Sequence, residues 1–222
     1  MVSYGAATLV LGVGGPMRTN VYVTVLEPGA SWSASAQTSA ALSTKAPIVQ
    51  LVAYRDETPR VLIRTITSLL YGSIVHDDGF RIRLHARVHT GTHLPTRQVD
   101  ARPVPGAMHR AYAVDTHGTV REWDTATRRL TKLASFEPVP EDRWWMLAPR
   151  EPHTLFATSC YDIYTLDVRD PSLHTLLSMP YSTDTLSRTH VTSMVASHLH
   201  AHLLAIATTD YVQYYDVRHA HV

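Results

Sequence analysis

The sequence predicts an all-β fold made of repeated antiparallel sheets, and three observations predict it. Short apolar runs rich in Val, Ile, Tyr, Thr and Leu alternate with turn residues along the 222-residue chain. Helical periodicity of 3.6 residues is hard to find over any window of about twelve residues. The second half carries a repeat of roughly 40–50 residues, the spacing of sheets that bury their apolar faces only by stacking.

Composition excludes several classes of protein. Hydrophobic residues make up 45% and charged residues 18%, a globular balance that argues against intrinsic disorder. The longest apolar runs are far shorter than the roughly 20 residues of a spanning helix, and the N-terminus lacks a basic signal region. We therefore expect no contact with membranes. The single cysteine, Cys160, rules out an intramolecular disulfide.

The first half of the chain reads as strands separated by two surface loops. Thr8–Val13 and Asn20–Leu26 flank a Gly-Gly-Pro turn and predict a hairpin. Residues 30–45 are rich in Ser, Ala and Thr, and residues 89–106 are polar with three prolines, so we expect both to be surface loops. Further strands are predicted at Ile48–Tyr54, Val61–Thr65, Leu69–Val75 and Phe80–Val88.

The repeat is clearest in the segments Ala111–Asp124, Leu155–Asp167 and Leu203–Asp216. Each has an apolar strand, a polar turn and a second strand that ends in a large residue followed by Asp. These endings are Trp123-Asp124, Leu166-Asp167 and Tyr215-Asp216, with the Asp residues 43 and 49 positions apart. Val61–Ser73 is a weaker copy that lacks the final Asp.

This pattern predicts a WD-repeat-like β-propeller whose blades are four-stranded antiparallel sheets. We expect the large residue to pack between blades and the Asp to accept hydrogen bonds from turn N–H groups. About four blades and the N-terminal hairpin would form one domain over residues 1–222, a partial propeller. An unrelated β-sandwich or barrel is the alternative.

Motifs that would carry catalysis or hold a ligand are missing from the sequence. Among the fourteen histidines, His198, His200 and His202 alternate, but no zinc-type ligand spacing accompanies them. There is no Gly-x-Ser-x-Gly elbow or phosphate-binding loop, and no local cation activates Cys160. We expect no catalytic residue, cofactor, metal site or small-molecule substrate.

One predicted strand has a basic side. Phe80, Ile82, Leu84 and Ala86 alternate with Arg81, Arg83, His85 and Arg87. Such alternation is typical of a strand with one wet face. We interpret Arg81, Arg83 and Arg87 as candidate contacts to an acidic partner or to phosphate, although a basic strand face is more often simply solvated.

The order of the segments adds a family resemblance. It rests on Arg110–Asp124, Arg143–Trp145, Pro152–Ser159 and Tyr164–Pro171, preceded by Pro47–Leu51 and Val61–Thr65. Over residues 47–218 the chain resembles the propeller of the RNA polymerase I core-factor subunit of fungi. The animal counterpart of that protein is a TATA-binding-protein-associated factor within the selectivity factor. Proteins of that family are longer and carry a helical region that these 222 residues lack.

The resemblance implies a non-catalytic scaffold subunit of a promoter-recognition factor in the nucleus and nucleolus. Its partners would be other core-factor subunits and RNA polymerase I, with a candidate contact to rDNA. Two other functions stay open. One is a generic WD-repeat adaptor, such as a ubiquitin-ligase substrate receptor or a trafficking scaffold. The other is a propeller enzyme with a site in its central channel.

Overall fold

A computed structural model describes residues 2–4, 7–26, 38–55, 58–90, 98–136, 144–178, 189–197, 199–200 and 202–218. Within these ranges nineteen strands form five antiparallel sheets. The chain divides into two compact units: unit 1 comprises residues 1–97 and 125–129, and unit 2 comprises residues 98–124 and 130–222. That the whole chain is one propeller domain stays a prediction.

Sheet I, in unit 1, is built around the predicted hairpin. Its strands, in spatial order, are β1 (Val2–Tyr4), β2 (Ala7–Gly14), β3 (Asn20–Leu26) and β4 (Thr38–Ser43). The connection between β2 and β3 passes through Gly15, whose φ of 77° suits glycine, and a short 3-10 turn at Pro16–Arg18. The hairpin prediction is confirmed, and β1 and β4 extend the hairpin into a full sheet.

Strand β4 corrects the prediction that residues 30–45 form a loop. Its sequence, TSAALS, is poor in the β-branched and aromatic residues that mark strands. Pairing with β3 orders it instead, and its Ala41 is buried. Residues 30–37 lie outside the described residues.

Sheet II, also in unit 1, contains the other strands predicted for the first half. They are β5 (Ile48–Arg55), β6 (Pro59–Thr65), β7 (Ser68–His76) and β8 (Phe80–His89), hydrogen-bonded in that order. Sheets I and II share one hydrophobic core. Its fully buried members include Leu9, Val21 and Val23 of sheet I and Val61 and Ile63 of sheet II.

Sheet III opens unit 2 with a strand that the sequence did not reveal. Its strands are β9 (Gln98–Pro103), β10 (Arg110–Asp115), β11 (Thr119–Asp124) and β12 (Arg129–Ser135). Strand β9 corrects the prediction that residues 89–106 form one loop. The strand is disguised because Gln98 and Asp100, which are polar, occupy its buried positions. Residues 91–97 are not described.

Sheets IV and V complete unit 2. Sheet IV has the order β13 (Met146–Glu151), β14 (Thr154–Thr158), β15 (Asp162–Asp167) and β16 (Asp170–Ser178). Sheet V contains β17 (Val191–Ala196), β18 (Leu203–Thr208) and β19 (Val212–Asp216), three strands within the described residues. The repeat recognised in the sequence corresponds to the second and third strands of sheets III, IV and V.

Within unit 2 the sheets stack through their first strands. The buried carboxylate of Asp100 on β9 accepts a hydrogen bond of 2.7 Å from the backbone N–H of Leu147 on β13. The thioether of Met146 on β13 lies 3.3 Å from the backbone N of Met194 on β17. One apolar cluster joins sheets III and IV and another joins sheets IV and V. This is the all-β, sheet-upon-sheet architecture that the repeat predicts.

Candidate interaction surfaces

The turn between the second and third strands is capped by a buried side-chain oxygen in sheets II, IV and V. In each, the hydroxyl of the residue that begins the turn accepts hydrogen bonds from two backbone N–H groups just beyond it. The pairs are Thr65 with Thr67 (3.3 Å) and Ser68 (3.0 Å), Ser159 with Tyr161 (3.2 Å) and Asp162 (3.1 Å), and Thr208 with Asp210 (3.2 Å) and Tyr211 (3.1 Å). Each cap satisfies backbone donors that the turn would otherwise leave unpaired.

Sheet III replaces the hydroxyl with a carboxylate. Asp115 is fully buried, and its Oδ1 accepts from the backbone N–H groups of His117 (2.9 Å) and Thr119 (3.0 Å). Its Oδ2 lies 2.5 Å from Nη1 of Arg121, which compensates the buried charge. The four turns are therefore held in fixed conformations by side-chain hydrogen bonds.

The turn of sheet III also depends on a glycine. Gly118 has a φ of +70°, and a Cβ there would lie 2.7 Å from the indole of Trp145. Trp145 is buried and stacks on Phe136, with ring centroids 5.2 Å apart and planes 17° apart. Tyr164 of β15 packs 4.5 Å from the Phe136 ring, so aromatic side chains fill the space between sheets III and IV.

The large residues of the strand-end motif are buried or half-buried. Trp123 on β11 is fully buried opposite Ala111 of β10. Leu166 is fully buried in the cluster that joins sheets III and IV, and Tyr215 is half-buried against the cluster that joins sheets IV and V. A common role of these three residues in packing between blades stays a prediction.

The motif carboxylates lie at strand ends. Asp167 Oδ1 accepts from the backbone N–H of Arg169 (3.0 Å), and its Oδ2 pairs with Nη2 of Arg169 at 2.6 Å. Asp216 repeats both contacts with Arg218, at 3.1 Å and 2.5 Å. Asp124 is half-buried at the end of β11, opposite Arg110.

The arginine contacts shift the ionisation of two of these carboxylates. The side-chain hydrogen bond from Arg169, followed by its backbone N–H, lowers the pKa of Asp167 from 3.8 to about 2. The side-chain hydrogen bond from Arg218 lowers the pKa of Asp216 in the same way. Both carboxylates are partly exposed to solvent, so these pairs fix the local turn more than they stabilise the fold.

The structure does not bring the three candidate arginines to one face of β8. Tyr71 lies opposite Ala86, but Gly72 lies opposite Leu84, so His85 is an extra residue that forms a β-bulge. Arg81 and Arg83 pair with Val75 and Ser73 on one face of sheet II, whereas Arg87 pairs with Leu70 on the opposite face. The interpretation of a single basic face was therefore wrong, because the bulge reverses the alternation. All three arginines are exposed, and their role in binding stays a prediction.

Sheet V has two apolar faces. Met194, Ile206 and Leu204 lie on the buried face, which packs on sheet IV. On the other face β17, β18 and β19 align Val195, Ala205 and Tyr214 in one row and Ser193, Ala207 and Val212 in the next. We call this the open face of sheet V. Its Val195, Val212 and Tyr214 are 59%, 63% and 71% exposed.

The histidines do not form a metal site within the described residues. The rings of His200 and His202 lie 6.2 Å apart, and His198, His219 and His221 are outside the described ranges. No group of three or more His, Cys, Asp or Glu side chains in the described part of the chain is placed to hold a metal ion. Cys160 is half-buried and, as the single cysteine, is not part of an intramolecular disulfide. Across the same ranges, no helix has the length and apolar character that crossing a membrane requires.

The sequence interpretation missed the turn caps and the open face. A signal for the caps was present, since Thr65, Asp115, Ser159 and Thr208 occupy the same place in each copy of the repeat. The open face could not be found in this way. A strand buried on both faces and a strand with one uncovered apolar face show the same run of apolar residues.

Comparison with solved structures places this architecture in a known fold. The C-terminal WD40 domain of Sif2 matches with a TM-score of 0.54 and 12% sequence identity over 92% of the chain. The chain spans about half (52%) of that structure. No protein-family model matches the sequence, and no curated protein sequence matches it. The chain is thus an all-β protein with a WD40-like propeller fold, whose described residues form successive four- or three-stranded antiparallel sheets.

Proposed function

We propose that the chain is a scaffold that binds other proteins and has no catalytic step. The observation that carries this proposal is the open face of sheet V, where Val195, Val212 and Tyr214 lie on one face, with Ala205 and Ala207 of β18 between them, and are exposed. Contiguous apolar surface of this kind marks protein interfaces, and tyrosine is enriched in their buried centres. The occupant that fits is a sister protein subunit presenting its own apolar surface. The WD40-like fold, which stacks apolar sheet faces on one another, supports this proposal.

More specifically, we propose a scaffold subunit of an RNA polymerase I promoter-recognition factor. It would act in initiation of rDNA transcription in the nucleolus and would hold core-factor subunits near the polymerase. The support is the ordered series of segments over residues 47–218 that resembles the propeller of the core-factor subunit. The exposed arginines Arg81, Arg83 and Arg87 supply candidate contacts to rDNA or to an acidic partner.

A generic WD-repeat adaptor is the second candidate, for example a ubiquitin-ligase substrate receptor or a trafficking scaffold. The WD40-like fold favours it as strongly as the first, because function depends on sites and not on the fold itself. The two candidates differ in the partner that binds the open face of sheet V.

Quantitative affinity capture from cells tests both. We expect the tagged chain to enrich core-factor subunits and RNA polymerase I, and the double substitution Val212→Asp with Tyr214→Ser to abolish that enrichment. Met17→Ser is the matched control, because Met17 is 77% exposed but lies in the turn that connects β2 and β3 of sheet I. If the tagged chain enriches neither core-factor subunits nor RNA polymerase I, the promoter-factor role is rejected. A different defined partner that is lost only in the double variant would establish the adaptor. Capture unchanged in the double variant would reject the open face as the interface.

A further inference from the structure

A second candidate site lies in unit 1. A pocket of about 180 Å³ opens where the β4–β5 connection meets the turn between β6 and β7. Lys45 and Arg87 supply its positive charge, and Ala46, Leu70 and Leu84 supply an apolar wall. No Asp or Glu is among the described residues that line it. The pocket therefore combines cationic and apolar surface without a counter-ion in its described lining.

The bulge at His85 brings Arg87 into this pocket. Because of the extra residue, Arg87 pairs with Leu70 and lies on the same face of sheet II as Leu84. In regular alternation Arg87 would share a face with Arg83 and would point away. Gly72 permits the bulge, since a Cβ there would lie 2.7 Å from the carbonyl oxygen of Arg83.

A buried hydroxyl holds the Arg87 guanidinium in place. Ser68 is 1% exposed, and its Oγ accepts from Arg87 Nη2 (3.1 Å) and Nε (3.3 Å). The same Oγ lies 3.2 Å from Nδ1 of His89. Thr65 caps the backbone N–H of Ser68, so the turn that carries the hydroxyl is itself fixed. The guanidinium is thus positioned before a ligand arrives and keeps further N–H donors for an anion.

We propose that this pocket binds an acidic side chain of a partner protein, next to an apolar side chain of the same segment. A carboxylate or a phosphoserine phosphate would pair with Arg87 and Lys45, and the apolar neighbour would pack on Leu70 and Leu84. Arginine suits both anions because its planar fork can donate two parallel hydrogen bonds. The inference rests on the proposed function, since it requires a protein partner.

Nucleic acid fits the site less well. Binding to a nucleic-acid backbone relies on a groove or row of positive charges that follows successive phosphates. Here two cations line an apolar pocket, and Arg81 and Arg83 lie on the other face of sheet II.

Fluorescence anisotropy with labelled peptides tests the proposal. Three peptides carry glutamate, phosphoserine or glutamine between two leucines, and a twelve-nucleotide thymidine strand is the fourth probe. We expect the two acidic peptides to bind and the glutamine peptide to bind at least tenfold more weakly. The tighter of the two acidic peptides identifies whether carboxylate or phosphate is preferred.

Substitutions locate the binding. Arg87→Gln and Lys45→Gln should each weaken the acidic peptides by roughly tenfold. Lys132→Gln, the control at an exposed cation of β12 that does not line the pocket, should leave the affinity unchanged. Lys45 is exposed in a connection, so the test holds even where Arg87→Gln disturbs folding.

Three results would overturn the proposal: no binding of either acidic peptide to the folded chain, equal binding of the glutamine peptide, or equal weakening by Lys132→Gln. Preferential binding of the thymidine strand would also overturn the proposal and would indicate that Lys45 and Arg87 bind nucleic acid. Capture of subunits through the open face of sheet V is a separate readout. Failure of the pocket therefore leaves the proposed function intact, and failure of that capture leaves the peptide result interpretable.

Discussion

At the scale of single residues, buried polar side chains hold the turns while large apolar side chains fill the space between strands. Asp115 illustrates the free-energy cost of burying a charged side chain. Its fully buried carboxylate is tolerated because two backbone N–H groups and Arg121 surround it. The hydroxyl groups of Thr65, Ser159 and Thr208 cap the equivalent turns without burying a charge.

Trp123 should be one of the largest single contributors to stability. Its side chain is fully buried. We expect Trp123→Ala to lower the free energy of unfolding by ~3–5 kcal/mol, because the indole's apolar contacts are lost and a cavity is left behind. Urea unfolding followed by circular dichroism measures the change. Tyr214→Ala is the control, since Tyr214 is 71% exposed. A Trp123→Ala variant as stable as the wild type would mean that the ring is not buried.

The Asp167 carboxyl should titrate with a midpoint near its pKa of about 2, below the ordinary 3.8, because Arg169 stabilises its charged form. The folded-state pKa is the lower one, so the contact stabilises the fold above about pH 4. That contribution is lost as the pH falls from about 4 to about 2. We expect Arg169→Gln to move the midpoint toward 3.8, measured by carbon-detected NMR of the carboxyl group. Arg218→Gln should leave it in place. An unchanged midpoint in Arg169→Gln would contradict the assignment of the lowered pKa to the contact with Arg169.

At the scale of elements, the sequence predicted strands well where apolar residues alternate or run together. Strands β6, β7, β10 and β14 carry such runs, and all were predicted. Strands β4 and β9 were missed for different physical reasons. Pairing with β3 orders the small, polar residues of β4. Strand β9 buries the polar side chains of Gln98 and Asp100, and the Asp100 carboxylate accepts a hydrogen bond from Leu147 of the next sheet.

The β8 bulge is the element-scale feature that matters most for the candidate sites. Alternation in the sequence placed Arg81, Arg83 and Arg87 together, and one extra residue separates Arg87 from the other two. Only the register against β7 reveals it. Gly72 is the residue in the sequence that accompanies the bulge. The structure explains why it is glycine, since a Cβ there would lie 2.7 Å from the carbonyl oxygen of Arg83.

Gly72→Ala should therefore destabilise the protein by about 1–3 kcal/mol, because the added methyl group meets a backbone carbonyl that cannot move aside cheaply. Gly12→Ala is the matched control in β2, where a Cβ would have no heavy atom within 4 Å. We expect the control to be neutral or slightly stabilising. Thermal unfolding of the two variants side by side decides it, and equal effects would argue against the bulge.

At the scale of the whole molecule, the repeat determined the fold class. The Asp residues that end each copy lie 43 and 49 positions apart, and each copy became the second and third strands of one sheet. The hairpin near the N-terminus became a further sheet because β1 and β4 pair with its outer edges. Binding surfaces were less predictable, since the exposure of Tyr214 depends on which face of sheet V stays uncovered and the placement of Arg87 depends on the bulge in β8.

The turn caps, the open face and the Arg87 pocket all follow from repeated antiparallel sheets in the stated register. Nuclear Overhauser effects between backbone protons of paired strands test that register directly. We expect cross-strand contacts that place Tyr112 opposite Glu122, Phe156 opposite Thr165, Ile206 opposite Gln213 and Leu70 opposite Arg87. Long series of sequential amide–amide contacts typical of helices, or pairing of β8 with β7 without the extra residue His85, would contradict it.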